Sequence, residues 1–271
     1  MTHTVSYKDF VFEYKLFGSG SEYLLAFHGF GRESDDFKIF EKTLGEKYTI
    51  VAINLYHHGN SMYPNERMFE NQITKKEFIA HIEQLLTQLK IDRFSIMGYS
   101  LGGRVALTCV QFFYKRINRI ILIAPDGLKI SYSNNFITGT TIGKNFIKWL
   151  VKNPEKFFNG VNKLHRYKIL NNRLRRMINF HFETHEKRVL LRNVISSFKN
   201  IVPNLNQITR HINKYHIEIV MIFGQHDFII PIKLGKRFLK KIKSKKEMHI
   251  IDASHNILTE NASKTLSELI K

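Results

Sequence analysis

The chain has 271 residues, 43% of them hydrophobic and 24% charged, which is ample for a large core. No run of about 18 apolar residues occurs, so no membrane-spanning helix is predicted. Cys109 is the only cysteine, which excludes an intrachain disulfide and suits a reducing cytoplasm. The net charge of +19 is unevenly held: residues 128–214 carry 17 Lys or Arg against three acids, Glu155, Glu183 and Glu186.

In chain order, residues 5–7 and 11–17 read as a short antiparallel pair turning at Lys8-Asp9, and 23–27 (YLLAF) as a compact strand ending at His28-Gly29. A helical stretch is expected around 36–44, then a β-branched strand over 48–55 closed by the turn-like YHHGNS. Phe78, Ile79, Ile82, Leu85, Leu86 and Leu89 recur at helical period through 75–89. Residues 93–97 read as a strand, 101–114 as a helix that buries Cys109, and 117–124 (INRIILIA) as a further strand before Pro125-Asp126-Gly127. Strands at 217–223 and 247–251 then alternate with helices at 231–242 and 258–270. Near-continuous apolar strands alternating with helices predict an α/β architecture with a mostly parallel eight-stranded sheet, flanked by helices.

Residues 128–214 break the rhythm. They are too long for a loop and carry helical patterns at 146–151 and 174–182, so they are expected to form a helical lid inserted after the sixth strand. The core domain is then 1–127 with 215–271. Attraction of an anionic substrate, contact with anionic lipid and contact with nucleic acid compete as uses of the lid's charge, beside a plainly solvated face. No nucleic-acid reading motif is recognisable, so no specific nucleic-acid partner is expected. The basic-aromatic stretch around Trp149 suits peripheral contact with a membrane.

In a parallel sheet, ligands sit beyond the carboxyl ends of the strands, which makes the polar residues just after each strand the candidates. His28 follows the third strand, Ser100 the fifth, Asp126 the sixth, Asp227 the seventh and His255 the eighth. The stretch FSIMGYSLGGRVAL spaces Gly98, Ser100 and Gly102 as G-x-S-x-G, which bends the backbone sharply at the serine. A serine hydroxyl needs a base, and the base needs a partner to fix its tautomer. Ser100, His255 and Asp227 would supply the three, with Asp126 as the alternative acid. Backbone N–H groups of Phe30 and Leu101 would form an oxyanion hole. His57 and His58 lack acidic partners at metal spacing, so no metal is expected, and the chemistry of the three residues requires no cofactor.

Four motifs in this order, HGFG, GYSLGG, GQHDFIIP and DASHN, resemble the oxyanion loop, nucleophile elbow, acid loop and histidine loop of the α/β-hydrolase fold, and the resemblance runs nearly end to end. It implies a serine hydrolase, carboxylesterase-like, that forms an acyl-enzyme on a small ester or related acyl substrate. Two departures stand out. Ser254 replaces the usual glycine before the histidine, and Asn54 to Ser61 replaces the usual Asp-x-x-Gly-x-Gly-x-Ser. The longer stretch GYSLGGRVA resembles the elbow of the 2-succinyl-6-hydroxy-2,4-cyclohexadiene-1-carboxylate synthase family, which implies an alternative lyase activity on a polyanionic substrate met by Arg104. A structural ion pair is the other reading of Arg104. A non-catalytic small-ligand receptor of the same fold is the third alternative. His28, Tyr99, Arg104 and Trp149 are the candidates for substrate contact.

Overall fold

The computed structural model describes residues 1–68, 70–129 and 141–270. Residues 130–140, part of the expected lid, lie outside the described residues. Eight strands form one sheet: β1 (Thr2–Tyr7), β2 (Phe10–Phe17), β3 (Glu22–Phe27), β4 (Tyr48–Ile53), β5 (Phe94–Tyr99), β6 (Ile117–Ile123), β7 (Glu218–Gly224) and β8 (Lys246–Ile251). Their order is β1-β2-β4-β3-β5-β6-β7-β8. The β1–β2 and β2–β4 pairs are antiparallel, and every pair from β4 to β8 is parallel.

Both faces of the parallel strands are covered, which is why they read as continuous apolar runs rather than as alternating ones. Leu24, Ile50, Met97, Ile121 and Val220 form one face's core, against Phe37 and Phe40 of the 3₁₀ helix Ser34–Phe40. The same cluster takes in Leu266 of the last helix, Glu260–Leu269. Their neighbours Leu25, Val51, Ile96, Ile120 and Ile219 are equally buried on the other side.

Among the described residues, the helices in chain order are α1 (Glu41–Leu44), α2 (Lys75–Gln88), α3 (Leu101–Phe113), α4 (Thr141–Lys152), α5 (Pro154–Arg166), α6 (Asn172–Phe182), α7 (His185–Ser197), α8 (Leu205–Lys214), α9 (Ile232–Leu239) and α10 (Glu260–Leu269). Thr74 starts α2 with a reciprocal capping box, its hydroxyl accepting from the Glu77 N–H while the Glu77 carboxylate accepts from the Thr74 N–H.

The chain separates into two compact units. One comprises Met1–Asn65, Ile73–Ile130 and Asn200–Lys271, and the other Glu66–Gln72 and Ser131–Lys199. The helical segment expected to run to residue 214 therefore stops earlier, and α8 belongs with the sheet. The reason is apolar: Ile208 and Ile212 of α8 are fully buried. Gln111 of α3 donates to Gln207 at 3.0 Å, and Tyr114 stacks on His211 at 3.8 Å. A basic composition common to 128–214 concealed that boundary.

His81 on α2 is fully buried, accepting from the Tyr56 hydroxyl at 2.7 Å through Nδ1 and donating from Nε2 to the Val5 carbonyl at 3.0 Å. Burial lowers its pKa from 6.5 to about 4. The unfolded imidazole therefore takes up a proton at a higher pH than the folded one. Stability is full above pH 6.5 and falls as the pH drops from there toward 4, by up to about 3 kcal/mol from this residue. Denaturant titrations from about pH 7 to pH 5 should show that loss, and His81→Gln should flatten the slope.

Candidate active site

The strand β5 delivers Ser100 directly into α3, and the junction leaves no room for side chains. A Cβ on Gly98 would lie 2.3 Å from the Gly102 carbonyl oxygen, and one on Gly102 would lie 1.9 Å from the Phe27 carbonyl oxygen. Ser100 itself sits at φ 50° and ψ −115°, a conformation that costs a non-glycine residue about 1–3 kcal/mol. Three backbone hydrogen bonds hold it there. Its N–H donates to Ile123 at 3.0 Å, and its carbonyl accepts from Gly103 at 2.9 Å and from Asp126 at 2.8 Å.

Loops beyond β7 and β8 bring the other two residues to it. Ser100 Oγ lies 2.9 Å from His255 Nε2, and His255 Nδ1 lies 2.7 Å from Asp227 Oδ2. The side chain of Asp227 is 0% exposed. Its second oxygen accepts the N–H groups of Ile229 at 2.8 Å and Ile230 at 2.9 Å, so the carboxylate has a fixed orientation. A proton on Nδ1 leaves Nε2 with its lone pair toward the serine, the tautomer a general base requires.

Asp126, the other candidate acid, is committed elsewhere: it forms an ion pair with Arg104 and accepts the Gly127 N–H at 2.6 Å. Arg104 thus makes the ion pair that was the other reading of it. Two further expectations change. His28, expected at the substrate, is fully buried with both ring nitrogens engaged, Nε2 accepting the Leu55 N–H at 2.9 Å and Nδ1 donating to Gly29 at 2.7 Å. Burial foremost, then the adjacent His58, keeps its pKa well below the ordinary value, so the ring stays neutral. Tyr99 is also buried, and its hydroxyl donates to the His255 carbonyl at 2.8 Å. Burial pushes that phenol up to about 12, so it remains a donor bracing the histidine loop. Trp149, in the second unit, stacks on Phe146 with centroids 6.0 Å apart.

The HGFG loop is held from behind by a group that local sequence did not reveal. His58 Nε2 accepts the Gly31 N–H at 3.0 Å, while its Nδ1 donates to Tyr56 at 3.0 Å. Behind it the buried Glu13 carboxylate accepts from Asn54 Nδ2 at 2.5 Å, and from Asn60 through its backbone and its amide, each at 2.8 Å. Burial would raise the Glu13 pKa, but these hydrogen bonds outweigh it and hold the carboxyl below its usual range. Asn54 stands where the resembled pattern has an acid, and here Glu13 of β2 supplies a carboxylate beside it. Glu13→Ala should cost about 3 kcal/mol, because it strands buried donors, and Glu13→Gln less; chemical denaturation measures both.

Directly after Ser100, the N–H of Leu101 opens α3, where the first turn's donors have no intrahelical acceptor and the helix dipole is positive. Phe30 sits in the HGFG loop, next to the Gly29 whose Cβ would meet the Tyr99 ring at 2.9 Å. The candidate nucleophile, base, orienting acid and oxyanion donors therefore all belong to the first unit.

Comparison with known proteins identifies the family and the fold. The family profile of the alpha/beta hydrolase fold matches residues 23–262, and the chain belongs to that family. An uncharacterized protein of Mycobacterium tuberculosis is 30% identical over 115 residues, 42% of this chain; the chain spans about a third (32%) of that relative's length. An uncharacterized hydrolase of Bacillus subtilis is 22% identical over 236 residues, covering 80% of this chain and 77% of its own. Among solved structures, a thermophilic esterase from Thermogutta terrifontis superposes with a TM-score of 0.67 at 16% identity, over 100% of this chain and 98% of that one. An alpha/beta hydrolase from a deep-sea metagenome reaches 0.69 at 14% identity, over 98% and 95%.

Proposed function

We propose that the protein is a serine hydrolase acting on a small carboxylic ester or related acyl substrate. The observation that carries this reading is the unbroken hydrogen-bonded chain from Ser100 through His255 to the buried Asp227. In the proposed reaction, Ser100 Oγ attacks the acyl carbon as its proton passes to His255 Nε2, and Asp227 stabilises the imidazolium. The N–H groups of Leu101 and Phe30 bind the negative oxygen of the tetrahedral intermediate. Collapse breaks the bond to the leaving alcohol, which takes the proton from His255, and leaves an acyl group on Ser100. Water, deprotonated by the same imidazole, then releases the carboxylic acid and restores the serine.

The relatives named as hydrolases and esterases support the class, and the chemistry requires no metal or cofactor. The pairing of Arg104 with Asp126 favours hydrolysis over elimination from a polyanion, because the arginine's charge is already met. A panel of p-nitrophenyl esters of increasing acyl length tests the proposal: turnover is expected in the wild type and not in Ser100→Ala. No turnover across the panel, with conversion of the polyanionic substrate of the 2-succinyl-6-hydroxy-2,4-cyclohexadiene-1-carboxylate synthase family, would transfer the same residues to the lyase reading. No turnover of either, with a bound small ligand, would leave the receptor.

A further inference from the structure

The second unit has a surface unlike that of the rest of the chain. Among the described residues, eight of the fourteen large hydrophobic side chains left exposed belong to it. Three form a stripe on α4: Ile142, Phe146 and Trp149 are 71%, 48% and 39% exposed. Their spacing of four and three residues puts them on one side of the helix. Leu150 and Val151 bury the adjoining side, and Lys148 and Lys152 are exposed on the other. The stripe is thus bordered by buried side chains along one edge and by cations along the other.

The charge around it has one sign. Residues 131–199 hold 14 Lys or Arg and three acids, and one of those acids, Glu183, is already paired with Lys187. Beyond α4, the end of α5 and the turn after it interleave exposed Leu164, Tyr167 and Ile169 with exposed Lys163, Arg166 and Lys168. An aqueous surface gains nothing from exposing that much apolar area, and a nucleic acid would use the cations but not the aliphatic side chains. An interface that is apolar inside and anionic at its rim uses both.

We propose that this unit binds the surface of an anionic phospholipid bilayer, with Ile142, Phe146 and Trp149 entering the boundary between headgroups and acyl chains and the surrounding Lys and Arg meeting lipid phosphates. Binding needs no turnover, so the inference stands apart from the catalytic reading.

Trp149 is the chain's only tryptophan and sits in the stripe, so its fluorescence reports insertion without a label. The full chain is titrated with phosphatidylcholine vesicles, with and without phosphatidylglycerol, and bound protein is separated by sedimentation. The expected result is a blue shift and co-sedimentation with the anionic vesicles only. Binding should weaken as the Debye length shrinks with added salt. Phe146→Ala, at an exposed position, should weaken it by about tenfold or more while leaving the melting temperature unchanged. Equal binding to neutral vesicles, or no effect of Phe146→Ala on anionic ones, would overturn the proposal. So would plain RNA or DNA duplex displacing the vesicles while the Trp149 emission stays at its value in buffer.

Discussion

Ser100→Ala should lower kcat/KM on a turned-over ester by about four to six orders of magnitude and leave the fold intact. The substitution removes one oxygen from a half-buried side chain and keeps the same Cβ at the same strained dihedrals. Its structural effect is limited to one hydrogen bond with His255, worth about 1 kcal/mol. Its chemical effect is the loss of the atom that bonds to the acyl group. Asp227→Asn should approach the same loss, about 10⁴-fold, because an amide facing Nδ1 favours the wrong tautomer. Asp126→Asn should cost far less, since that carboxylate faces Arg104 and the Gly127 N–H. The contrast between the two asparagine variants identifies the acid kinetically. Ser100→Gly adds a thermodynamic control: glycine accepts φ 50° without strain, so this inactive variant should melt above Ser100→Ala by about 2–4 °C for each kcal/mol released.

Gly102→Ala should be among the most destabilising single methyl groups the chain could receive, by more than about 4 kcal/mol. The new Cβ would lie 1.9 Å from the Phe27 carbonyl oxygen and 2.7 Å from that of His28, and both are backbone atoms at the end of a central strand. Relief requires α3 to move away from β3. That separates Ser100 from the HGFG loop and opens a core in which Val105, Ala106 and Cys109 are fully buried. A surface glycine offers the contrast: Gly160 on α5 has nothing within 4 Å of its missing Cβ, so Gly160→Ala should be neutral or slightly stabilising. Thermal denaturation of the two variants side by side checks the argument, and poor soluble yield of Gly102→Ala alone is the expected companion result.

What sequence could show depended on how local the physics was. The elbow was legible because close approach of β5, α3 and β3 demands glycines within five residues of the serine. The order Ser100, Asp227, His255 was legible because each residue ends a strand whose apolar run announces itself. The Glu13 network was not: residues 13, 54 and 60 meet only after β2 pairs with β4, and nothing near Glu13 distinguishes it from a surface acid on an edge strand. His28 was misread for the complementary reason. A polar residue after a strand looks like a site residue, and only the fold shows its ring pinned between the Leu55 and Gly29 backbones. Arg104 stood open between a substrate and a structural ion pair, and only the fold shows Asp126 paired with it. In the basic segment, charge composition hid the division at residue 200, which is set by the burial of two isoleucines of α8, a helix bonded to α3 through Gln111 and Gln207.

A fluorophosphonate probe, followed by mass-spectrometric mapping of the modified peptide, tests the active serine most directly, because phosphonylation requires a hydroxyl activated in place and no knowledge of the natural substrate. A single adduct on Ser100 is expected in the wild type and none in His255→Ala. An adduct on another residue, or undiminished labelling of Ser100 without the imidazole, would contradict it.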